Sequence, residues 1–315
     1  MTTRIAASID DLDLSASVVT IGTFDGVHRG HQALLREAIS RAKGLGLPSV
    51  IVSFEPIPAS VLRPDRFAGR ICGADEKQEL LTAAGADVLL VVAFTAELAS
   101  LTAEEFVSRL VDTTRMRELW VGEAFALGKN RAGDVAHLAE LGQRHGFELV
   151  AVPRVEDGAG VISSSRIRHA ILSGDVETAA ALLGRPFLVR GEVVYGYQFG
   201  RTIGYPTANV APPDGLAPLA DGIYASTVLL PGGDKLHLSM TYVGTRPSVN
   251  SGPRAVETHL LDFDGDLYGQ VIDVSILSRL RPDAHFPTID ELVAQLRRDE
   301  VTTRAYFETG NHPAD

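Results

Sequence analysis

The sequence predicts a doubly wound α/β domain followed by a small antiparallel β-barrel and a C-terminal helix, and three observations carry that prediction. In the first half, short apolar β-rich runs alternate with helical patterns, as a parallel sheet wound by helices requires. After Leu183 that periodicity gives way to β-rich runs separated by Gly and Pro clusters. At 315 residues the chain exceeds what one small core needs, so two domains are expected, 1–183 and 184–315.

In order along the first half, 18–21, 50–54, 88–92, 119–121 and 149–152 read as buried parallel strands. Between them, 32–43 places Leu34, Leu35, Ala38, Ile39 and Ala42 on one helical face. A second helical segment lies near 75–84, and a third, 102–111, opens with a capping box from Thr102 to Glu105. In the second half, 189–194, 223–230, 236–242, 256–261 and 271–277 read as barrel strands. The helix from 289 to about 307 is led by a second capping box, Thr288 and Glu291.

Composition removes several classes of function. The chain is 45% apolar and 22% charged, with no uninterrupted apolar stretch of about 18 residues, so neither a disordered chain nor a membrane partner is expected. Residues 1–14 carry three Asp and one Arg with no apolar run after a basic start, which reads as cytoplasmic rather than secreted. Cys72 stands alone and forms neither an internal disulfide nor a zinc framework. A net charge of −11 opposes broad attraction to nucleic acid, so any phosphate chemistry must be local.

The sharpest local signal is the run Gly22, Phe24, Asp25, Gly26, His28, Gly30 and His31 between a strand and an amphipathic helix. Glycines let the backbone turn tightly against a ligand, and a helix beginning near Gly30 offers unpaired N–H groups to a phosphate. An isolated His-x-x-His is ordinarily a pair of helix-start residues with routine hydrogen bonds. The glycine turn shifts the reading of His28 and His31 towards phosphate. Metal ligation is the competing use of that spacing, and no third ligand accompanies it in the sequence. Downstream, Ser163, Ser164, Ser165, Arg166 and Arg168 enter another helix with hydroxyls and two guanidinium groups, a second phosphate clamp. Together these residues suit nucleotidyl transfer, which is catalysed by positioning and by neutralising charge on phosphoryl oxygens.

A second constellation lies in 191–209. Gly191, Gly196, Gly200 and Gly204 with Arg201 form a flexible, basic flap, and Pro206, Thr207 and Asn209 follow it. Thr207 and Asn209 present oxygens two residues apart, the donor type that magnesium takes. No Gly-x-x-x-x-Gly-Lys-Ser/Thr occurs, so this reads as a kinase site outside the Walker type. Glu257, on a predicted strand, has the chemistry to accept a proton from a substrate hydroxyl. The acidic run 262–269 lacks the EF-hand glutamate and reads as a turn.

These motifs, in this order over nearly the whole chain, resemble the bacterial bifunctional riboflavin kinase and FMN adenylyltransferase family, also called FAD synthetase. The resemblance implies a Rossmann-like nucleotidyltransferase domain that adenylylates FMN and a barrel domain that phosphorylates riboflavin with ATP and magnesium. Flavins are then substrate and product; riboflavin, FMN and ATP are the partners. Gly22, Phe24, Asp25, Gly26, His28, Gly30 and His31 are implied to hold ATP in the first site, with Ser164, Ser165, Arg166 and Arg168. Gly200, Arg201, Gly204 and Pro206 match the kinase signature, Thr207 and Asn209 would hold magnesium and phosphate, and Glu257 matches the catalytic base. Three positions depart from the family pattern: Ala124 where a polar residue is usual, Ile57 in place of histidine, and 244–248, which reads Gly-Thr-Arg-Pro-Ser. The first two make a riboflavin kinase with a weakened first domain the runner-up. A non-catalytic flavin- or nucleotide-binding regulator is a third reading. The oligomeric state is left open.

Overall fold

The structure, a computed structural model, describes residues 2–245 and 254–310. The chain divides into two compact units, Met1–Arg70 with Ala74–Ser164, and Ile71–Gly73 with Ser165–Asp315.

The first unit is built on six parallel strands: β1 (Arg4–Ala6), β2 (Ser17–Ile21), β3 (Ser49–Glu55), β4 (Val88–Ala93), β5 (Met116–Gly122) and β6 (Glu148–Val152). Their order is β1-β4-β3-β2-β5-β6, all neighbours parallel. Helices α1 (Arg29–Leu45), α2 (Ala74–Ala83), α3 (Ala103–Thr114) and α4 (Val135–His145) provide the crossovers. Side chains alternate across a strand, so Val50 and Val52 of β3 join Phe106, Leu110, Leu138 and Leu141 of α3 and α4 in one core. Ile51 between them joins Leu34, Leu35 and Leu81 of α1 and α2 on the opposite face. Both faces are covered, which is why the strands read as continuous apolar runs. Each leucine so buried contributes about 1.5–3 kcal/mol.

The helix ends follow local chemistry. The Thr102 hydroxyl accepts from the Glu105 N–H (3.2 Å) and Glu105 accepts from the Thr102 N–H (2.8 Å), closing the expected box on α3. α1 stops where Gly46 takes φ 66°. β1 and α4 are among the elements absent from the sequence pattern. β1 is only three residues long, and α4 follows an Asp134 cap that accepts from the His137 N–H (2.9 Å).

The second unit is a closed antiparallel barrel of β7 (Phe187–Val194), β8 (Ala208–Ala211), β9 (Gly222–Leu229), β10 (Leu236–Gly244), β11 (Ala255–Leu260) and β12 (Val271–Pro282). The order is β7-β8-β11-β10-β9-β12, and β12 pairs back with β7. Five of the strands match the sequence runs; β8 is not among those runs, because four residues between Pro206 and the pair Pro212 and Pro213 carry little strand signal. Inside the barrel a hydroxyl ladder replaces part of the apolar core: Ser226 Oγ lies 2.7 Å from Ser239 Oγ and 2.6 Å from Thr241 Oγ1, which donates to Thr258 Oγ1 at 2.8 Å. All four residues are buried, and each hydroxyl finds a partner within the set, as burial of a polar group demands.

The unit also contains α6 (Val176–Leu183), the single turn α7 (Phe199–Thr202) and the long α8 (Ile289–Glu308), while α5 (Ser164–Ser173) begins on the last residue of the first unit. The packing division thus falls upstream of the change in sequence texture at 183–184, and α6 packs on β7 and β12. α8 is capped by Thr288, whose hydroxyl accepts from the Glu291 N–H (3.2 Å), one half of the expected box. It is tied to the barrel by Arg281, which grips the buried Asp299 through Nε (2.9 Å) and Nη2 (2.7 Å). Gln295 donates to the same carboxylate at 2.7 Å.

Two candidate active sites

In the first unit the site begins where β2 ends. Neighbouring connections run to one side of β2 through β3 and β4, then return to place β5 on its other side, so a crevice opens at the carboxyl ends of β2 and β5. The 3-10 turn Asp25–Val27 fills that edge with unusual backbone: Phe24 at φ 51° and Val27 at φ 38° flank Gly26 at φ 76°. A non-glycine residue in the left-handed region costs on the order of 1–3 kcal/mol and concentrates at functional sites. A Cβ on Gly22 would lie 2.9 Å from the Phe24 ring, and one on Gly30 would lie 3.1 Å from His28 Cε1. A side chain at Gly22 would displace the Phe24 ring, and one at Gly30 would press on the His28 imidazole.

His28 caps α1, its Nδ1 accepting from the His31 N–H (3.3 Å). Because Nδ1 accepts, a neutral His28 carries its proton on Nε2. The two imidazoles stack with centroids 3.6 Å apart and planes 17° apart, and Phe24 meets His31 edge-on at 5.3 Å. Burial, and secondarily the neighbouring His28, hold His31 well below the usual histidine range, so it is neutral at pH 7. Its Nδ1 is buried with no hydrogen-bond partner among the described residues. The Asp25 carbonyl accepts from Ser164 Oγ at 3.2 Å, which fixes the start of α5 to this turn.

A cavity runs from Gly22, His28 and His31 to Gly122, Ala124 and Ile162. Arg131 and Arg154 also line it, and sequence reasoning missed both. Their positions just beyond β5 and β6, at the carboxyl edge of a parallel sheet, are the signal that points to them. Arg131 donates to the Ala124 carbonyl at 3.4 Å, and Arg154 lies 3.5 Å from Glu123. Ala124 is an exposed part of the wall. Ile57 is buried and is not among the residues lining this cavity. Nearby at the end of β3, burial raises the Glu55 pKa, but Lys77 (2.7 Å) and Arg70 (3.0 Å) outweigh it and hold the carboxyl below its ordinary range. Ser165, Arg166 and Arg168 lie on the part of α5 that belongs to the second unit. Among the described residues, no three His, Cys, Asp or Glu side chains converge to hold a metal ion, so His28 and His31 gain no third ligand of that kind.

In the second unit the ladder does the positioning. Asn209 of β8 pairs opposite Glu257 of β11, and Ala208 opposite Thr258. The period of two then sets Thr207, Asn209, Glu257 and His259 on one face. Thr207 Oγ1 donates to Glu257 Oε2 at 3.5 Å, and His259 Nδ1 lies 2.7 Å from the Pro206 carbonyl, to which it donates. Gly200 is fixed by contact: its carbonyl accepts from the Tyr205 N–H (2.8 Å), and a Cβ there would overlap the Tyr205 carbonyl oxygen. Gly204, at φ 84°, ends the turn that carries Arg201.

Two cavities share Thr207. One lies between the outer wall of the barrel and α8, bounded by Tyr205, Ile223, Met240, Tyr242 and Leu296, with Thr207, Asn209 and Glu257 also among its lining residues. The other is lined by Arg201, Pro206, Asp264, Asp266 and Tyr268. Thr207 lines both. The α8 wall, held by Arg281–Asp299 and by Tyr205 donating to Glu300 (3.2 Å), carries no motif and was not read from sequence. Thr207, Asn209 and Glu257 each offer a hard oxygen ligand on one face, a donor set that fits magnesium. Of the departing segment 244–248, Gly244 and Thr245 are described, and Arg246, Pro247 and Ser248 lie outside the described residues.

Two family models match the chain. Residues 11–166 match the family described as FAD synthetase, and residues 183–307 match the family described as riboflavin kinase. Curated relatives named bifunctional riboflavin kinase/FMN adenylyltransferase include one from Escherichia coli K12, 40% identical over 92% of both chains. Another, from Pseudomonas fluorescens, is 38% identical over 94% of both. Among solved structures, a protein from Streptococcus pneumoniae titled a macrolide-efflux protein superposes with a TM-score of 0.84 at 34% identity, covering 96% of this chain and 99% of that one. Among the described residues of the present chain, no helix is long and apolar enough to cross a membrane.

Proposed function

We propose a division of labour for a chain that belongs to the family of bifunctional riboflavin kinase/FMN adenylyltransferases. The enzyme makes FAD in two steps: ATP and riboflavin give FMN and ADP, then ATP and FMN give FAD and pyrophosphate.

The kinase step takes place on the barrel face. The apolar cavity beneath α8 suits the flavin ring system, and the cavity beside Arg201 suits the nucleotide. The observation that carries this reading is that Thr207 lines both, within hydrogen-bond reach of Glu257. A ribityl hydroxyl and a γ-phosphorus brought to that wall from opposite sides meet next to the carboxylate. Glu257 accepts the hydroxyl proton as oxygen attacks phosphorus, and ADP leaves. Thr207 and Asn209 would hold magnesium, which neutralises charge on the phosphate oxygens when bound.

In the adenylyl step an FMN phosphate oxygen attacks the α-phosphorus of ATP and pyrophosphate leaves. The nucleophile is already an anion, so no general base and no covalent intermediate are required. His28 and His31 act as hydrogen-bond donors to the phosphoryl oxygens, His31 as a neutral imidazole, preorganised by their stack and by the helix cap. The strained turn around Gly22, Phe24, Asp25 and Gly26 holds them there, and the start of α1 at Gly30 offers N–H groups to the triphosphate. Ser164 fixes the far side; Ser165, Arg166 and Arg168 enter the proposal through the sequence motif alone. We assign 1–183 to adenylyl transfer and 184–315 to the kinase on the same grounds.

A time course of the full chain with riboflavin, ATP and magnesium, resolved by chromatography, tests the reading. FMN should appear first and FAD follow. FMN that accumulates without FAD at excess ATP would overturn the role given to the first unit, and absence of both products would overturn the whole.

A further inference from the structure

We propose that Gly196 is a positioning residue for phosphoryl transfer, and that its missing Cβ is the space in which the Asn209 carboxamide is held. From sequence, the glycines of 191–204 read as backbone flexibility for a flap over phosphates. The geometry at Gly196 gives one of them a different purpose.

Val194, the last residue of β7, pairs opposite Asn209. Continuing the antiparallel count past the end of β7 sets Gly196 opposite Thr207, diagonal to Asn209 and on the same face. An ideal Cβ on Gly196 would lie 2.5 Å from Asn209 Nδ2 and 2.6 Å from both Cγ and Oδ1. All three distances are well inside van der Waals contact, and they include both ends of the amide. Flipping the amide exchanges oxygen for nitrogen at the same place, so only a change of χ1 or a shift of the loop relieves the overlap. Gly196 is not among the glycines at positive φ, so alanine would impose no backbone strain there. A methyl group at 196 therefore acts on the Asn209 side chain. Displacing that amide takes an oxygen ligand off the face that Thr207 and Glu257 share.

The inference rests on the assignment of Asn209 to the kinase site, and the test separates the two. In the full-length protein, Gly196→Ala, Asn209→Ala and the double variant are compared for FMN formation across magnesium concentrations. Gly196→Ala should lower kcat at least tenfold and raise the magnesium concentration giving half-maximal rate. In the Asn209→Ala background the same substitution should change the rate less than twofold, because sites acting through one side chain are not additive. Gly196→Ala with Asn209→Ser, which shortens the side chain and keeps an oxygen, should recover part of the loss. Without metal or nucleotide, the Asn209 side-chain amide resonances, identified by their absence in Asn209→Ala, should move in Gly196→Ala while the thermal midpoint stays within about 3 °C, the shift expected of less than 1 kcal/mol in a domain of this size. Full activity in Gly196→Ala, or an equal loss with and without the Asn209 side chain, overturns the positioning role. Full activity in Asn209→Ala overturns the assignment of Asn209 and the inference with it. Should Gly196→Ala fold poorly, Gly196→Ser at reduced temperature serves for the amide spectrum, where unmoved resonances count against the proposal.

Discussion

The groups assigned to adenylyl transfer sit on a turn with Phe24 at φ 51° and Val27 at φ 38°, whereas those assigned to the kinase sit on a regular ladder in which Asn209 faces Glu257. On the turn, placement is local: His28 caps its own helix, stacks on a residue three positions on, and presses on Gly30. On the ladder, placement comes from register between strands nearly fifty residues apart in sequence, and a one-residue slip would turn every side chain to the other face. One site is held by strain and stacking within about ten residues, the other by pairing at long range. Damage to the first should stay local, while damage to the second should depend on which neighbour supports the residue.

The largest effect tests the independence of the two arrangements. Glu257→Ala should cut riboflavin phosphorylation by about 10²–10⁴, the usual worth of a positioned proton acceptor, and leave FAD formation from supplied FMN unchanged. Product analysis with each flavin as starting material checks it. Next, His28→Ala and His31→Ala should each lower FAD formation by about 10²–10³, as removal of one preorganised donor does, with FMN formation retained. A loss of both activities in either experiment would break the comparison.

A smaller effect concerns pH. His31 is held below the ordinary value near 6.5, so below that pH the unfolded chain binds a proton that the folded chain refuses. Stability contributed by this group is present above about pH 6.5 and falls as the pH drops, with a slope of at most about 1.4 kcal/mol per pH unit. Urea unfolding at several pH values should show a shallower acid-side slope in His31→Gln than in the unaltered chain; equal slopes would remove the neutral-imidazole assignment. The smallest change is a gain. Ala124→Asn restores a polar side chain to the first cavity and should raise FAD formation about two- to tenfold, equivalent to about 0.5–1.5 kcal/mol for one hydrogen bond. No gain would mean that the wall at 124 does not limit the reaction.

What could be read from sequence followed the same divide. The histidine turn was legible because its parts are contiguous and each residue type has one dominant use there. Strands β2 to β5 were legible because sheets covered on both faces force apolar runs, whereas β6, at the sheet edge, is buried only at Val152. β8 was not, since a strand of four residues between prolines is defined by its partners rather than by its own pattern. Arg131 and Arg154 were missed because an arginine in a loop is unremarkable until the topology sets that loop at the carboxyl edge of the sheet. The flavin wall from α8 was invisible for a similar reason: Leu292 and Leu296 look like any helix core until the barrel lies beneath them.

The position of α8 along the chain has a consequence for synthesis. Every residue lining the first cavity has been translated by Ile162, but the second cavity lacks its wall until Leu292 and Leu296 have left the ribosome. Units fold in the order they emerge, so the nascent chain completes the cavity for the later reaction before the cavity for the earlier one. Through that interval Ile223 and Met240, buried in the finished structure, face solvent on an uncovered barrel. The barrel without α8 is thus a stage at which this chain needs protection from aggregation, and a ribosome pausing after β12 has emerged and before Leu292 does would prolong it.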